Sequence, residues 1–183
     1  FHQKDQRCKN MIEGGIGGGN TKTGLNFEKE KDILELLGNT AGYSVKGHVI
    51  SYKGKEVARS YRKNSLYNFL AEQGVKYKEI LSKKLLPDEA LYVIVNNTMY
   101  ILEIKFQKVA GSVDEKLQTC DFKKKQYQRL FAPLNYEVEY IYILSDWFNR
   151  PEYKDVLTYI NSVGCQYYFG YLPLQKIGLP IPK

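Results

Sequence analysis

Two β-rich segments flank the dipeptide Asn96-Asn97, and this pattern constrains the fold more than any other feature of the chain. The run LYVIV precedes the dipeptide and the run TMYILEIKF follows it. Asparagine tolerates the positive backbone φ angles of tight hairpin turns, while β-branched and aromatic residues favour strands. The sequence therefore predicts an antiparallel hairpin with a two-residue turn, in which Val95 lies opposite Thr98.

Helical and extended patterns alternate along the rest of the chain. Before the hairpin they predict a helix over 24–37, one or two strands over 43–61 around the Lys53-Gly54 turn, and short helices over 65–73 and 77–85. After the hairpin they predict a helix over 112–131 opened by a Ser112/Glu115 capping box, a strand over 137–144, a helix over 151–162 capped by Asn149, and a strand over 165–171. This order is typical of a mixed α/β (α+β) fold with a central mixed β-sheet flanked by helices.

The length of 183 residues suits one domain. Residues 1–23 contain the run GGIGGGN and are expected to form a flexible glycine-rich arm, which leaves 24–183 as a single folded domain. No apolar run approaches the roughly 20 residues of a membrane-spanning helix, so we expect neither a membrane segment nor a signal peptide. Three widely spaced cysteines argue against a disulfide framework and favour a reducing, cytoplasmic compartment, and two histidines argue against zinc nucleases built on paired histidines.

The positive charge is concentrated in one stretch of the chain. The formal net charge is +7, and the segment 45–84 holds ten basic and three acidic residues, a difference equal to the whole excess. Five tyrosines lie in or beside this segment. Basic residues interleaved with aromatic rings suit contacts with nucleic acid, and an ordinary solvated basic face is the other interpretation.

The register of the predicted hairpin brings three polar residues onto one face. The two-residue turn sets Asp88 opposite Lys105 and Ala90 opposite Glu103. Opposed residues, and residues two apart on one strand, project to the same side of a sheet. Asp88, Glu103 and Lys105 should therefore share a face, with the two acids as diagonal neighbours about 7–8 Å apart at the backbone. The opposite face of the second strand carries a core-like set of residues, Tyr100, Leu102, Ile104 and Phe106.

Two carboxylates beside a lysine suit the hydrolysis of a phosphodiester bond. The reaction requires neutralisation of charge on the non-bridging oxygens, hydroxide near neutral pH and stabilisation of the departing oxygen, all of which carboxylate-bound Mg²⁺ can supply. Lys105 would orient or activate the attacking water. A surface hairpin that bears an ordinary Glu-Lys pair is the alternative interpretation.

The residues Pro87-Asp88, followed by Glu103-Ile104-Lys105, resemble the signature of the PD-(D/E)xK nuclease superfamily. The resemblance covers the middle of the chain, over PDEALYVIVNNTMYILEIKFQKVAGSVDEKLQTCDFKKKQY, and is closest to type II restriction endonucleases. It implies a central mixed sheet with helices on both sides. It also implies Mg²⁺ as cofactor, with Mn²⁺ as a substitute, and cleavage that leaves 5′-phosphate ends.

The resemblance assigns roles to further residues. Families with this core carry a Glu four residues after a Gly on the first helix, and Gly24 and Glu28 fit that pattern. An acidic residue that favours the first helical turn is the other interpretation of Glu28. The resemblance thus implies the catalytic residues Asp88, Glu103, Lys105 and Glu28, the metal ligands Asp88, Glu103, Glu28 and the Ile104 carbonyl, and active-site support from Gln107.

Basic and amide side chains before and after the hairpin are candidates for gripping DNA. Lysine and arginine contact phosphates, and together with glutamine they can also read base edges. An exposed helix surface is the plain alternative for those after the hairpin. The candidates are Lys46, Lys53, Lys55, Arg59, Arg62, Lys63, Lys83, Lys84, Lys116, Lys123, Lys124 and Gln126.

The sequence thus predicts a Mg²⁺-dependent endodeoxyribonuclease that acts on double-stranded DNA, most like a type II restriction enzyme. Because one active site cuts one strand, a double-strand break calls for two sites, which predicts a homodimer. A structure-specific nuclease, such as a junction-resolving or repair enzyme, shares these motifs. A catalytically inactive DNA-binding module of the same fold is a further alternative, and nothing in the composition excludes RNA as the substrate.

Overall fold

The computed structural model describes residues 23–27 and 32–183. The glycine-rich arm predicted for residues 1–23, apart from Thr23, lies outside the described residues. Glu28, the candidate catalytic and metal-binding residue, lies outside them as well. In the described part of the chain, no helix combines the length and the apolar character that crossing a bilayer requires.

Nine strands and six α-helices make up the described part of the chain. The strands are β1 (Gly24–Asn26), β2 (Tyr43–Lys46), β3 (Val49–Tyr52), β4 (Lys55–Tyr61), β5 (Glu89–Val93), β6 (Thr98–Lys105), β7 (Glu137–Leu144), β8 (Gln166–Phe169) and β9 (Tyr171–Pro173). The helices are α1 (Ile33–Gly38), α2 (Asn64–Glu72), α3 (Tyr77–Ile80), α4 (Val113–Lys116), α5 (Cys120–Phe131) and α6 (Lys154–Ser162).

The strands form one large sheet and one small one. Strands β2 to β8 lie side by side in chain order in a seven-stranded sheet. Neighbours from β2 to β6 are antiparallel, whereas β6–β7 and β7–β8 are parallel pairs. Strands β1 and β9 form a separate antiparallel ribbon. The predicted mixed sheet flanked by helices is confirmed.

Two hydrophobic cores cover the two faces of the large sheet. One core contains buried residues of α2, α5 and α6, among them Leu70 and Leu130. The other contains residues of α1, of the β1–β9 ribbon and of the C-terminal segment, among them Leu37 and Leu172. A fully buried leucine contributes about 1.5–3 kcal/mol relative to an exposed one. Because apolar clusters cover both faces, the central strands are shielded from solvent, and a polar side chain on them needs a hydrogen-bond or ion-pair partner.

The helix predicted over 24–37 is wrong in its first part. Residues Gly24–Asn26 are extended and pair with Tyr171–Pro173, and the helix begins only at Ile33, where the Asp32 side chain accepts a hydrogen bond from the Leu34 amide. Leu25 is fully buried in this ribbon. Gly24 packs so closely that an added Cβ would lie 2.4 Å from the Tyr171 ring. Of the apolar residues that predicted the helix, Phe27 is buried beside the ribbon, Ile33 and Leu37 are buried by the short helix, and Leu34 is half-buried.

The hairpin β5–β6 is confirmed, whereas its predicted register is wrong by two residues. Val93, not Val95, lies opposite Thr98, and a four-residue turn joins the strands. Within the dipeptide, only Asn97 has a positive φ, of 51°. The Asn97 side chain accepts a hydrogen bond from the Tyr92 hydroxyl at 2.9 Å and donates one to the Asn135 carbonyl at 2.7 Å. Because the shift is an even number of residues, every side chain keeps its predicted face.

Three other helix predictions required correction. The helix over 112–131 is divided into α4, a 3₁₀ turn over Leu117–Thr119 and α5, and the Ser112 side chain makes no capping hydrogen bond. The helix predicted to reach residue 85 ends at Ile80, because the next residue, Leu81, is extended with φ of −118° and ψ of 135°. The Tyr67 hydroxyl then bonds both the amide and the carbonyl of Leu85. Residues Pro151–Tyr153 form a 3₁₀ turn before α6, so Asn149 is not the cap.

The strand predicted over 165–171 is two strands in different sheets. Strand β8 ends at Phe169 beside β7, and β9 begins at Tyr171 beside β1. Gly170, with φ of 59°, lies between them. The region 43–61 contains three strands instead of one or two, because a second turn at Gly47-His48 precedes the predicted turn at Lys53-Gly54.

Candidate active site

Three side chains of the hairpin meet at the end of β6. The Lys105 ammonium donates to Glu103 Oε2 at 2.8 Å and to Asp88 Oδ2 at 3.1 Å. Asp88 immediately precedes β5, and the corrected register sets it directly across from Glu103. The predicted convergence of these three side chains is present, with the two acids opposed across the hairpin in place of the expected diagonal placement.

The three side chains differ in burial, and this affects the pKa values of Glu103 and Lys105. Glu103 is 7% exposed, Lys105 is 18% exposed and Asp88 is 39% exposed. Burial raises the pKa of Glu103, and Asp88 adds to this effect, while Lys105 opposes it. Burial alone would lower the pKa of Lys105, but the charges and hydrogen bonds of both acids outweigh it and raise that pKa. The lysine is therefore held as a cation between the two acids.

Backbone contacts fix the orientation of Asp88. Its Oδ2 atom also accepts a hydrogen bond from the Ile104 amide at 3.0 Å. The carbonyl of Pro87 accepts a hydrogen bond from the Lys63 amide at 3.2 Å. The residue is thus held from both sides, by the end of β6 and by the start of α2.

The three-residue cluster opens into a cleft of about 570 Å³. Asp88 and Lys105 line the cleft, whereas Glu103 lies deeper and is not part of its wall. Other walls come from the segment before α1, the end of β4, the loop after β6 and α4. The complete lining is Asp32, Arg62, Lys63, Asp88, Ile104, Lys105, Phe106, Val113 and Lys116.

A second group of charged residues adjoins the cluster, and it was not predicted as a unit. Glu89 is 2% exposed, and it accepts hydrogen bonds from Ser60 Oγ at 2.5 Å and from Arg62 Nε at 2.9 Å. Arg62 also pairs with Asp32. Burial raises the pKa of Glu89, and the bonds from Ser60 and Arg62 oppose this rise. One signal was present in the sequence, since alternation along β5 places Glu89 among core residues, where a charge demands a partner.

Gln107 contacts other residues than those of the cleft. Its side-chain amide donates to Asp114 at 3.0 Å, and its backbone exchanges two hydrogen bonds with the Ser145 hydroxyl. Its Oε1 atom is buried and has no hydrogen-bond partner within the described residues. Gln107 therefore links the end of β6 to α4 and to the end of β7, and it is absent from the cleft wall.

The candidate DNA-contacting residues divide by position. Arg62, Lys63 and Lys116 line the cleft. Lys123 of α5 is near enough that its charge acts on the pKa of Glu103, as the last of several influences. Three of the remaining candidates have partners elsewhere: Arg59 pairs with Glu56, Lys124 bonds Glu139 and the Gly164 carbonyl, and Gln126 accepts a hydrogen bond from Arg129. The others that are absent from the cleft wall are Lys46, Lys53, Lys55, Lys83 and Lys84.

The donor set of the cluster suits a hard divalent cation with a limited number of protein ligands. Asp88 and Glu103 supply two carboxylates that converge on one position, which the Lys105 ammonium contacts. Among residues 23–27 and 32–183 there is no group of three or more His, Cys, Asp or Glu side chains able to hold a metal. Mg²⁺ commonly uses one or two carboxylates and takes its remaining ligands from water and substrate phosphate, so the set fits this ion.

Lys63 adopts a backbone conformation that lysine rarely takes, with φ of 44° and ψ of −119°. Such conformations cost about 1–3 kcal/mol for residues with a Cβ atom and are natural for glycine. We expect the free energy of unfolding of the Lys63→Gly variant to be about 1 kcal/mol higher than that of the Lys63→Ala variant. Urea denaturation of the two variants measures this difference. Equal or lower stability of the glycine variant would contradict the strain at this position.

Comparisons of the chain with models of known protein families, with curated proteins and with solved structures found no match. The chemistry of the cleft must therefore be inferred from its own residues. They combine two convergent carboxylates, a lysine held in its charged form and a cationic rim formed by Lys63 and Lys116, beside which Arg62 is paired with Glu89 and Asp32.

Proposed function

We propose that this protein is a Mg²⁺-dependent endodeoxyribonuclease that hydrolyses double-stranded DNA, with a restriction-endonuclease-like core and most like a type II restriction enzyme. The observation that carries the proposal is the contact of one lysine ammonium with two carboxylates of neighbouring strands, in a cleft with further cationic side chains. Cationic walls attract a phosphate backbone, and the acids provide the ligands that phosphodiester hydrolysis needs.

Each of the three residues has a definite task in this proposal. Asp88 and Glu103 would hold the cation, together with the Ile104 carbonyl, and the bound cation would supply charge neutralisation and a reactive hydroxide. Lys105 would orient the attacking water beside the scissile phosphate. The buried position of Glu103 and the backbone bond to Asp88 hold these groups in place before substrate arrives.

Digestion of a sequenced plasmid with and without Mg²⁺, followed by mapping of the ends, tests the proposal. Discrete fragments with 5′-phosphate ends support a restriction enzyme. Cleavage confined to branched DNA supports the structure-specific alternative, and cleavage of RNA alone contradicts DNA as the substrate. DNA binding without any nicking, at Mg²⁺ concentrations up to tens of millimolar, would identify an inactive binding module instead.

The proposal includes a homodimer, because one cleft provides one set of catalytic groups for one strand. Sedimentation of the chain with a duplex that carries its site tests this point. Double-strand breaks produced by a species of two chains per duplex support it. Single-strand nicks produced by a one-to-one complex would contradict it.

The cationic rim should govern affinity for DNA in a salt-dependent manner. We expect Lys116→Met to weaken duplex binding about 3- to 10-fold and to lower the slope of log K against log salt concentration by about 1, because one phosphate contact is lost. Fluorescence anisotropy in Ca²⁺-free EDTA buffer, across a salt series, measures both quantities. Lys176→Met is the matched control, since this exposed lysine lies in the C-terminal segment. An equal effect of both substitutions would argue against the cleft as the binding surface.

A further inference from the structure

The two residues on either side of Asp88 are both tied to the segment Arg62-Lys63. Pro87, before it, accepts a backbone hydrogen bond from Lys63. Glu89, after it, accepts a side-chain hydrogen bond from Arg62 at 2.9 Å. Asp88 itself is bound to the end of β6 through the Ile104 amide. The position of Asp88 is therefore set by the connection between β4 and α2 as well as by its own hairpin.

Arg62 has two carboxylate partners, which limits its freedom to bind phosphate. Its Nε atom bonds Glu89, and its Nη2 atom bonds Asp32 at the start of α1. Glu89 is 2% exposed, and its other described hydrogen-bond partner is the hydroxyl of Ser60. If a DNA phosphate drew Arg62 away from Glu89, the buried carboxylate would lose its cationic partner. Such a loss is strongly unfavourable, so Arg62 should remain bound to Glu89.

We propose that Arg62 is a positioning residue for the cleavage reaction, which holds the Pro87–Glu89 turn in place by pairing at once with Glu89 and Asp32. This inference rests on the proposed nuclease function. Arg62 lines the same cleft as Asp88 and Lys105, but its role differs from that of Lys63 and Lys116, for which no carboxylate partner exists among the described residues. Its two ion pairs connect three parts of the chain: the start of α1, the end of β4 and the start of β5.

The consequence for catalysis follows from the geometry of Asp88. A shift of the turn by about 1 Å would move the Asp88 carboxylate relative to Glu103 and Lys105, and displacements of that size can cost about 100-fold in rate. The salt dependence of DNA binding reflects the number of phosphates that the protein neutralises, and Arg62 is engaged by Glu89 and Asp32 instead of a phosphate, so DNA binding should change little. The proposal therefore predicts a loss in kcat without a matching loss in affinity.

Single-turnover cleavage and duplex binding of Arg62→Met and Lys116→Met distinguish the two roles. For Arg62→Met we expect kcat to fall about 10- to 100-fold, with DNA affinity within about 3-fold of wild type and an unchanged salt slope. For Lys116→Met we expect the change to appear in binding, with about 3- to 10-fold weaker affinity and a lower salt slope. Weaker binding and a lower salt slope in Arg62→Met, with wild-type kcat, would overturn the proposal and make Arg62 a phosphate contact.

A double-mutant cycle with Glu89→Gln tests the proposed pairing directly. If Arg62 acts through Glu89, the double variant should lose no more in kcat than Arg62→Met alone, because the glutamine no longer requires a cation. Strictly additive losses would contradict action through Glu89. Arg62→Lys provides a milder variant if Arg62→Met folds poorly, and its single ammonium should give an intermediate kcat. Absence of cleavage by the wild-type chain would overturn the nuclease proposal itself, whereas active wild type with binding-defective Arg62 variants would overturn only this inference.

Discussion

Replacing Lys105 with methionine, Asp88 with asparagine or Glu103 with glutamine is expected to lower the rate of DNA cleavage by at least about 1,000-fold. Removal of one preorganised charged group commonly costs about 100- to 1,000-fold, and these residues also depend on one another. Each substitution nearly preserves side-chain volume. Single-turnover assays at saturating DNA measure the loss, and anisotropy should show that affinity for the duplex stays within a few-fold of wild type.

Glu139→Gln is the matched control for Glu103→Gln. Glu139 also pairs with a lysine, Lys124 at 3.3 Å, but it lies outside the cleft. We expect cleavage by the Glu139 variant at the wild-type rate. Wild-type cleavage by any of the three cluster variants would remove that residue from the catalytic set, and equal losses in Glu139→Gln would show that a general structural effect is responsible.

Folding of the Lys105 variant needs its own control. Lys105→Met leaves the nearly buried Glu103 without its cation, which is unfavourable for a charged carboxylate. Because burial already raises the pKa of Glu103, removal of the lysine should raise it further and shift the group toward its neutral form. The double variant Lys105→Met/Glu103→Gln should therefore be more stable than Lys105→Met alone, while remaining inactive.

The meeting of the two acids and the lysine could be predicted from sequence because it depends on a simple alternation. The hairpin turn was assigned two residues and contains four, yet the faces of Asp88, Glu103 and Lys105 survived, since a shift by two preserves the side of the sheet. A shift by one would have placed Asp88 on the opposite face from Glu103. The prediction was therefore correct in what it claimed about faces and incorrect in the pairing itself.

The elements that were mispredicted depend on contacts between distant parts of the chain. Gly24–Asn26 is a strand only because Tyr171–Pro173 lies beside it, about 145 residues later. The break between α4 and α5 has no proline or glycine to signal it. Local spacing records which residues are apolar, but partners at such separation decide whether a strand or a helix buries them.

The network of Glu89, Arg62 and Asp32 shows the same limit at the site. Its members come from three elements separated along the chain, and Arg62 was counted with the DNA-contacting residues because only its charge was visible. The burial of Glu89 could be inferred from the alternation of β5. The identity of its partner required the pairing of β4 with β5, in which Tyr61 lies opposite Ala90 and brings Arg62 beside Glu89.

Chelation of divalent cations is expected to abolish cleavage, by more than about 1,000-fold, and to leave the fold and DNA binding nearly unchanged. In the absence of a divalent cation, Lys105 offsets one of the two negative charges of Asp88 and Glu103, so the cluster does not require the metal for folding. Cleavage and duplex anisotropy in EDTA, compared with Mg²⁺ at matched ionic strength, separate the loss of chemistry from a loss of binding. Thermal unfolding in the same buffers tests the stability claim. Continued cleavage in excess EDTA would contradict a catalytic role for Asp88 and Glu103 as metal ligands, because no bound cation would then be present to generate the hydroxide.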